Sequence, residues 1–163
     1  MKAPSASGAP ALFDGQAAEF DRRTGLPESD CRAIAAAVLA MAEARPGDRV
    51  VEIGAGTGMI GRWFPDLGAR YIGIDLSRGM LEVFRHRLEA AGASHIGLVQ
   101  ADGARSWPLP AGAARIVFSS RAMHLLPLEH AAAEARRVAA GGVCILGRVE
   151  RRPEGVQARM ARR

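Results

Sequence analysis

The residues best suited to chemistry in this sequence are glycines that directly follow an apolar run. Residues 50–61 read VVEIGAGTGMIG, in which Gly54, Gly56 and Gly58 alternate after a stretch typical of a buried strand. Glycine lets the backbone turn tightly and lets a ligand approach main-chain atoms, because no Cβ is in the way. Glu52 lies just before these glycines. The pattern predicts a nucleotide-sized crevice whose acid suits a ligand with a cationic amino-acid portion.

The register of these glycines separates two classes of ligand. A dinucleotide fingerprint, G-x-G-x-x-G, would begin at Gly54 and fails at its last position, which is Met59. The same pattern does occur from Gly56 to Gly61, but it starts too late relative to the end of the strand. We therefore favour a ligand without a pyrophosphate. An NAD-linked oxidoreductase, or an ordinary strand-to-helix turn, stays open as the alternative.

Acidic residues end the next two apolar runs. Asp75 closes the run at 71–74, where a carboxylate can accept hydrogen bonds from both hydroxyls of an adenosine ribose. Asp102 and Gly103 follow the third run, where they can receive the exocyclic amine of adenine. The competing readings are a surface acid for Asp75 and a simple turn for Asp102. Together with the glycines, the two acids favour an adenosyl site.

A fourth stretch, residues 118–127, follows another apolar run and is expected at the lip of the same crevice. It contains Ser119 as a candidate ligand contact and His124 as a weak catalytic candidate. A histidine in a leucine-rich segment is more often a packed or capping residue, so the catalytic residues stay unidentified. We find no cysteine, histidine or carboxylate cluster with metal-ligand spacing.

The elements that must position these residues alternate along the chain. Apolar runs at 49–53, 70–74, 95–99, 114–118 and 143–146 predict five strands. Helices are predicted at 28–44, after an N-cap at Ser77 and up to a C-cap at Gly92, and at 128–139. Continuous apolar strands between helices indicate an α/β fold with a mostly parallel sheet covered on both faces.

Composition limits the class of protein. With 163 residues, the chain is expected to form one domain over 11–163 after a disordered segment at 1–10. The net charge of +5 is concentrated in residues 148–163, which hold six arginines against two glutamates. Because the remainder is nearly neutral and aromatic residues make up 5%, nucleic-acid binding is disfavoured.

The sequence also predicts the cellular location of the protein. No apolar run is long enough to span a membrane, and residues 1–10 lack the pattern of a secretion signal, so a cytoplasmic location is expected. Cys31 and Cys144 lie far apart in sequence and are expected to be reduced structural thiols.

The motifs together resemble the class I (Rossmann-like) S-adenosylmethionine-dependent methyltransferases, especially the small-molecule branch with the ubiquinone and menaquinone biosynthesis enzymes. Residues 52–58 match the family's first motif and residues 73–81, GIDLSRGML, its second, while 101–103 and 118–126 match more loosely. The resemblance covers residues 13–150. It implies a three-layer α/β/α sandwich with strand order 3-2-1-4-5, S-adenosyl-L-methionine as cofactor, and methyl transfer to a small-molecule acceptor.

The resemblance also assigns roles to residues. It implies a lid-like N-terminal segment containing Phe13-Asp14 and Phe20-Asp21. The implied cofactor contacts are Glu52, Gly54, Ala55, Gly56, Gly58, Asp75, Leu76, Met80, Asp102, Gly103 and Ser119.

One departure from the family concerns the end of the sheet. The family has two further strands that form an antiparallel edge pair, and this sequence shows none after 143–146. We therefore expect a C-terminally incomplete domain with an open edge at the fifth strand, which allows self-association. A remnant that binds the cofactor without transferring a methyl group is the second alternative.

Overall fold

A computed structural model describes residues 17–147, without the side chains of residues 17, 18, 23 and 24. The predicted disorder of residues 1–10 and the segment Phe13-Asp14 lie outside the described residues. In chain order the elements are α1 (Ala17–Thr24), α2 (Glu28–Met41), β1 (Arg49–Ile53), α3 (Trp63–Asp66), β2 (Arg70–Asp75), α4 (Arg78–Ala91), β3 (Ile96–Gln100), β4 (Ile116–Ser119), a short 3-10 helix (Met123–Leu125), α5 (Leu128–Val138) and β5 (Val143–Leu146).

The five strands form one parallel sheet in the order β3-β2-β1-β4-β5, which confirms the predicted fold class. Alternate residues of β1 enter two different cores, since Val50 packs in one apolar cluster and Val51 in another. Both faces of the sheet are thus covered, as the continuous apolar strands require.

The predicted boundaries hold within a few residues, and the differences have local causes. Helix α2 ends at Met41, before Glu43, which adopts a left-handed φ of 48° that a helix cannot continue through. β4 begins at Ile116, since the N–H of Ala114 donates to the carbonyl of Val138 at the end of α5 (3.1 Å).

The caps predicted for α4 are confirmed. The Ser77 hydroxyl accepts from the N–H of Met80 at 3.2 Å, and Gly92 ends the helix with a φ of 61°. These caps fix the start of α4 directly after β2, at the edge where the candidate ligand residues lie.

Two findings bear on the expected location. Between residues 17 and 147 no helix is long and apolar enough to cross a membrane. Cys31 is buried and Cys144 exposed, and both are free thiols. The cytoplasmic location stays a prediction.

Candidate functional site

The carboxyl ends of four parallel strands bring the predicted residues to one edge of the sheet. Ile53 pairs with Ile74, so the glycines after β1 lie beside Asp75 at the end of β2. Asp75 pairs in turn with Gln100, which precedes Asp102. The central strand β1 has β2 on one side and β4 on the other, so the connections diverge here and open the crevice in which α/β sheets bind ligands.

Asp75 joins the glycine turn to the second strand. The N–H of Gly56 donates to one carboxylate oxygen of Asp75 and the N–H of Ser77 donates to the other, both at 2.8 Å. A carboxylate has about four lone-pair positions, so two main-chain contacts do not by themselves saturate it. The half-buried acid therefore fits the ribose role predicted for it.

The three alternating glycines have different tasks, although all have left-handed φ values of 75°, 55° and 77°. A Cβ on Gly54 would lie 2.2 Å from the Cβ of Ala122, and one on Gly58 would lie 2.1 Å from the ring of Phe84. A Cβ on Gly56 would meet nothing within 4 Å. Gly54 and Gly58 thus allow close packing, whereas Gly56 presents main chain to open space, which suits an approaching cofactor.

Glu52 differs from its predicted role. Its side chain points into the core with 3% of the residue exposed, and the Tyr71 hydroxyl donates to it at 2.5 Å. Burial raises the pKa of Glu52 to about 8. Because a Cβ on Gly61 would lie 2.2 Å from the Tyr71 hydroxyl, this glycine makes room for the pair. Glu52 supports the turn from inside instead of facing the crevice.

Ser119 also departs from its predicted contact with the cofactor. It is fully buried, and its hydroxyl donates to the carbonyl of Ile53 at 2.8 Å. The hydroxyl ties the end of β4 to the end of β1, directly below the glycine turn. Its position supports the turn and offers no exposed surface to a ligand.

Asp102 and Gly103 form a tight turn after β3. The Asp102 carboxylate accepts from the N–H of Ala104 at 2.9 Å. A Cβ on Gly103 would lie 3.1 Å from Leu126, so this turn packs against the segment after β4. Asp102 is half-buried in this turn after β3, and its contact with the adenine amine stays a prediction.

The remaining predicted contacts are apolar. Ala55 and Met80 are buried, and Leu76 is half-buried beside Asp75.

The segment after β4 carries a cation that the sequence did not reveal. His124 lies exposed on the 3-10 helix. Arg121 has a left-handed φ of 61°, and its Nη2 lies 3.9 Å from the sulfur of Met59 in the glycine turn. Residues other than glycine held in this region of φ are concentrated at functional sites. The crevice therefore has a guanidinium on its β4 side.

Helix α1 is bound to the glycine turn through a second group that sequence reasoning missed. The Thr57 hydroxyl donates to the Asp21 carboxylate at 2.7 Å, and Arg87 of α4 forms an ion pair with the same carboxylate. Arg87 also donates to the carbonyl of Thr57 at 3.2 Å. We call Asp21, Thr57 and Arg87 the α1 clasp. It places the predicted lid residue Asp21 against the loop.

A parallel α/β sheet with a glycine turn and an acidic strand end at its divergence point defines an adenosine-binding fold of the Rossmann-like class. Comparison with known proteins then gives the family. The methyltransferase domain family matches residues 50–142, more than half of the chain, and the chain belongs to it. Membership implies S-adenosyl-L-methionine as the cofactor.

Individual relatives agree with this family. The malonyl-[acyl-carrier protein] O-methyltransferase of Serratia marcescens is 33% identical over 135 residues, which are 82% of this chain and 49% of that protein. The chain thus spans about half the length of this relative. A Methanococcus maripaludis protein assigned as an S-adenosyl-L-methionine-dependent methyltransferase shares the fold with a TM-score of 0.74 at 18% identity, over 90% of this chain and 67% of its own.

A third structure shows that the fold does not by itself specify the reaction. A [4+2]-cyclase superposes with a TM-score of 0.71 at 17% identity, over 85% of this chain and 58% of its own. The fold is therefore common to proteins that catalyse different reactions, and the reaction must be argued from the site.

Proposed function

We propose that the chain binds S-adenosyl-L-methionine at the carboxyl ends of β1 to β4 and transfers its methyl group to a small-molecule acceptor. The observation that carries this proposal is the 2.8 Å hydrogen bond from the Gly56 N–H to Asp75, which joins the glycine turn to the acid of the next strand. Asp75 would accept the ribose hydroxyls, Gly56 would present main chain to the amino-acid portion, and Asp102 would receive the adenine amine.

The cofactor, when bound, supplies a methyl group on a sulfonium sulfur. The task of the protein is to align an acceptor atom with that group, since proximity and orientation can provide most of the rate enhancement of such a displacement. Arg121 and His124 lie on the β4 side of the crevice. We assign the acceptor to this side, where Arg121 can orient an anionic group and His124 can hold a proton.

Two facts support a small-molecule acceptor and a transferase. The Serratia marcescens relative acts, by its name, on a malonyl group carried by the acyl-carrier protein, so the group named there is a small carboxylic acid unit on a protein carrier. An NAD-linked oxidoreductase would need the glycine register that Met59 interrupts. Binding data alone do not distinguish an active methyltransferase from a remnant that binds the cofactor without turnover. A panel of acceptors with radiolabelled cofactor tests it directly.

Calorimetry with S-adenosylhomocysteine tests the cofactor site. Wild-type protein should bind with micromolar Kd, about −8 kcal/mol, and should show no heat with NADH. Asp75→Asn should weaken binding by about 1.5–3 kcal/mol, because a hydrogen bond to a charged group is lost and the single amide oxygen cannot accept from the Gly56 N–H, the Ser77 N–H and a ribose hydroxyl together.

The control for this variant is Asp66→Asn, a matched change at an exposed acid of α3 that should leave the Kd unchanged. A folded Asp75→Asn protein with wild-type affinity would remove Asp75 from the site. Absence of binding by folded wild-type protein at millimolar ligand would contradict the whole proposal.

We further propose that the chain self-associates through β5. Within the described residues this strand pairs with β4 on one side and with no strand on the other. Its residues are apolar, which favours pairing with a second sheet edge.

A further inference from the structure

Three arginines stand side by side at the opposite, amino-terminal edge of the sheet. Arg49 begins β1 and pairs in register with Arg70, which begins β2. The N–H of Arg115 donates to the Arg49 carbonyl at 3.0 Å, so Arg115 holds the equivalent position ahead of β4. The three residues thus form a row across neighbouring strands, which we call the arginine row.

Arg49 and Arg70 leave the same face of the sheet. Val51 and Ile72, each two residues further along its strand, lie at one apolar cluster, and side chains two residues apart in a strand share a face. Arg115 precedes β4, and its guanidinium reaches the end of α2, where it donates to the carbonyl of Ala42 at 3.4 Å. Parallel strands lie about 4.8 Å apart, and the row is therefore about 10 Å wide.

The arginine row borders a cleft with a cavity volume of about 420 Å³. Much of the remaining lining is glycine and alanine, which leaves the guanidinium groups as its main polar side chains. These small residues are Gly47, Gly112, Ala113, Ala114, Ala140, Gly141 and Gly142.

The positive charge of the row is not neutralised within the described part of the chain, where no carboxylate oxygen lies within 4.0 Å of these guanidiniums. Arg49 donates to the carbonyl of Ala113 at 2.8 Å and Arg115 to that of Gly141 at 3.2 Å, which orients both groups. Asp48, the acid in the cleft, accepts from the N–H of Arg45 at 2.8 Å. Like charges directly opposite on neighbouring strands destabilise a sheet, so an anion here would relieve a cost.

We propose that this cleft binds a compact oxyanion carrying two or three linked phosphate groups. Guanidinium groups present planar forks of donors that match phosphate oxygens, and their charge persists at every physiological pH. A chain of two or three phosphates carries anionic oxygens along its length, so it can contact several guanidinium groups of the row at once. The cleft lies at the other end of the strands from the cofactor crevice, and the proposal is independent of the proposed function.

Thermal unfolding with inorganic tripolyphosphate tests this site against sodium chloride at matched ionic strength, since salt alone screens repulsion. Tripolyphosphate should raise the Tm of wild-type protein above the chloride control. Arg70→Gln should weaken tripolyphosphate binding about ten-fold, as expected for loss of a charge-assisted hydrogen bond. Without the anion, the same variant should melt no lower than wild type. The matched control is Arg85→Gln on the exposed side of α4.

Two further results would overturn the proposal. Equal stabilisation by chloride and tripolyphosphate, or equal weakening in Arg70→Gln and Arg85→Gln, would reduce the row to a solvated surface. Displacement of tripolyphosphate by saturating S-adenosylhomocysteine would place the anion in the cofactor crevice. Unchanged tripolyphosphate affinity in the presence of that ligand is the result expected here.

Discussion

Glu52 couples the stability of the glycine turn to pH. Burial raises the pKa of its carboxyl to about 8, while in the unfolded chain it titrates near 4.5. Between these two values the unfolded chain releases a proton that the folded protein keeps. Stability from this residue is therefore fully present below pH 4.5 and falls as pH rises towards 8, by roughly 1 kcal/mol per pH unit.

Replacing this acid by its amide should remove that loss. Glu52→Gln keeps an oxygen that can accept from the Tyr71 hydroxyl but does not ionise. Its free energy of unfolding should match wild type near pH 5 and exceed it near pH 8, as measured by urea denaturation. The control Glu129→Gln, at an exposed position of α5, should keep the wild-type slope. Parallel pH profiles for wild type and Glu52→Gln would show that Glu52 ionises normally in the fold.

Some residues of the site follow from sequence because their type is required by local geometry. Gly56 and Asp75 belong to this group, since a strand end with open main chain and a following acid have few other uses. The role of Arg121 could not be predicted from sequence. Its left-handed φ occurs next to Ala122, which packs against Gly54, and such a long-range contact is not visible in the local sequence. Glu52 lay within the motif, but its burial depends on which face of β1 the helices cover.

At the scale of secondary-structure elements, the α1 clasp links α1 to the glycine turn and to α4. Asp21 on α1 is held by Thr57 of the turn and by Arg87 of α4, so one carboxylate connects three segments. Both ionic side chains are partly exposed, which limits the pair to about 1 kcal/mol. The clasp thus adds a modest stabilisation to the contact of α1 with the turn.

Arg87→Gln should release α1. Amide hydrogen exchange in residues 17–24 should accelerate about five-fold, the factor that about 1 kcal/mol corresponds to. The affinity for S-adenosylhomocysteine should fall by a similar or smaller factor, because Thr57 loses a partner beside Gly56. Arg85→Gln, on the same helix, should leave the exchange of α1 unchanged. Unaltered exchange in Arg87→Gln would mean that packing alone holds α1.

The connection between β3 and β4 shows why loops resist prediction. Glu134 on α5 accepts from the N–H of Trp107 at 2.7 Å and pairs with Arg137 at 2.6 Å. Arg137 holds the pKa of Glu134 down at about 2. The sequence shows Glu134 only as an acid within a helix, and the fold shows that it fastens a loop 27 residues away.

The mostly parallel sheet was accessible from sequence, since continuous apolar strands alternate with helices, whereas the strand order followed from the resemblance to the family. The pairing of an edge strand with another chain is harder to predict from sequence. β5 carries the exposed Cys144 beside half-buried Val143, Ile145 and Leu146. Apolar edge strands are templates for pairing with another chain, and natural proteins commonly block them with lysine.

Cys144→Lys should therefore reduce self-association. Light scattering on wild-type protein should give an average mass that rises with concentration, and the lysine variant should stay closer to the monomer mass. Cys144→Ser is the control, because it removes the thiol without adding charge and so separates strand pairing from disulfide formation. A monomeric wild-type protein at high concentration would contradict the prediction.

The central position of β1 has a consequence for synthesis on the ribosome. Val50 pairs with Tyr71 on one side and with Ile116 on the other, and the carbonyl of Ile53 accepts a hydrogen bond from the hydroxyl of Ser119. The first half of the sheet can assemble while the chain is still emerging, but β1 then has a bare edge. Until Ala122 leaves the exit tunnel, Gly54 lacks the side chain that packs against it in the folded protein. The glycine turn follows the first strand to be translated, yet it is among the last parts of the sheet to be completed.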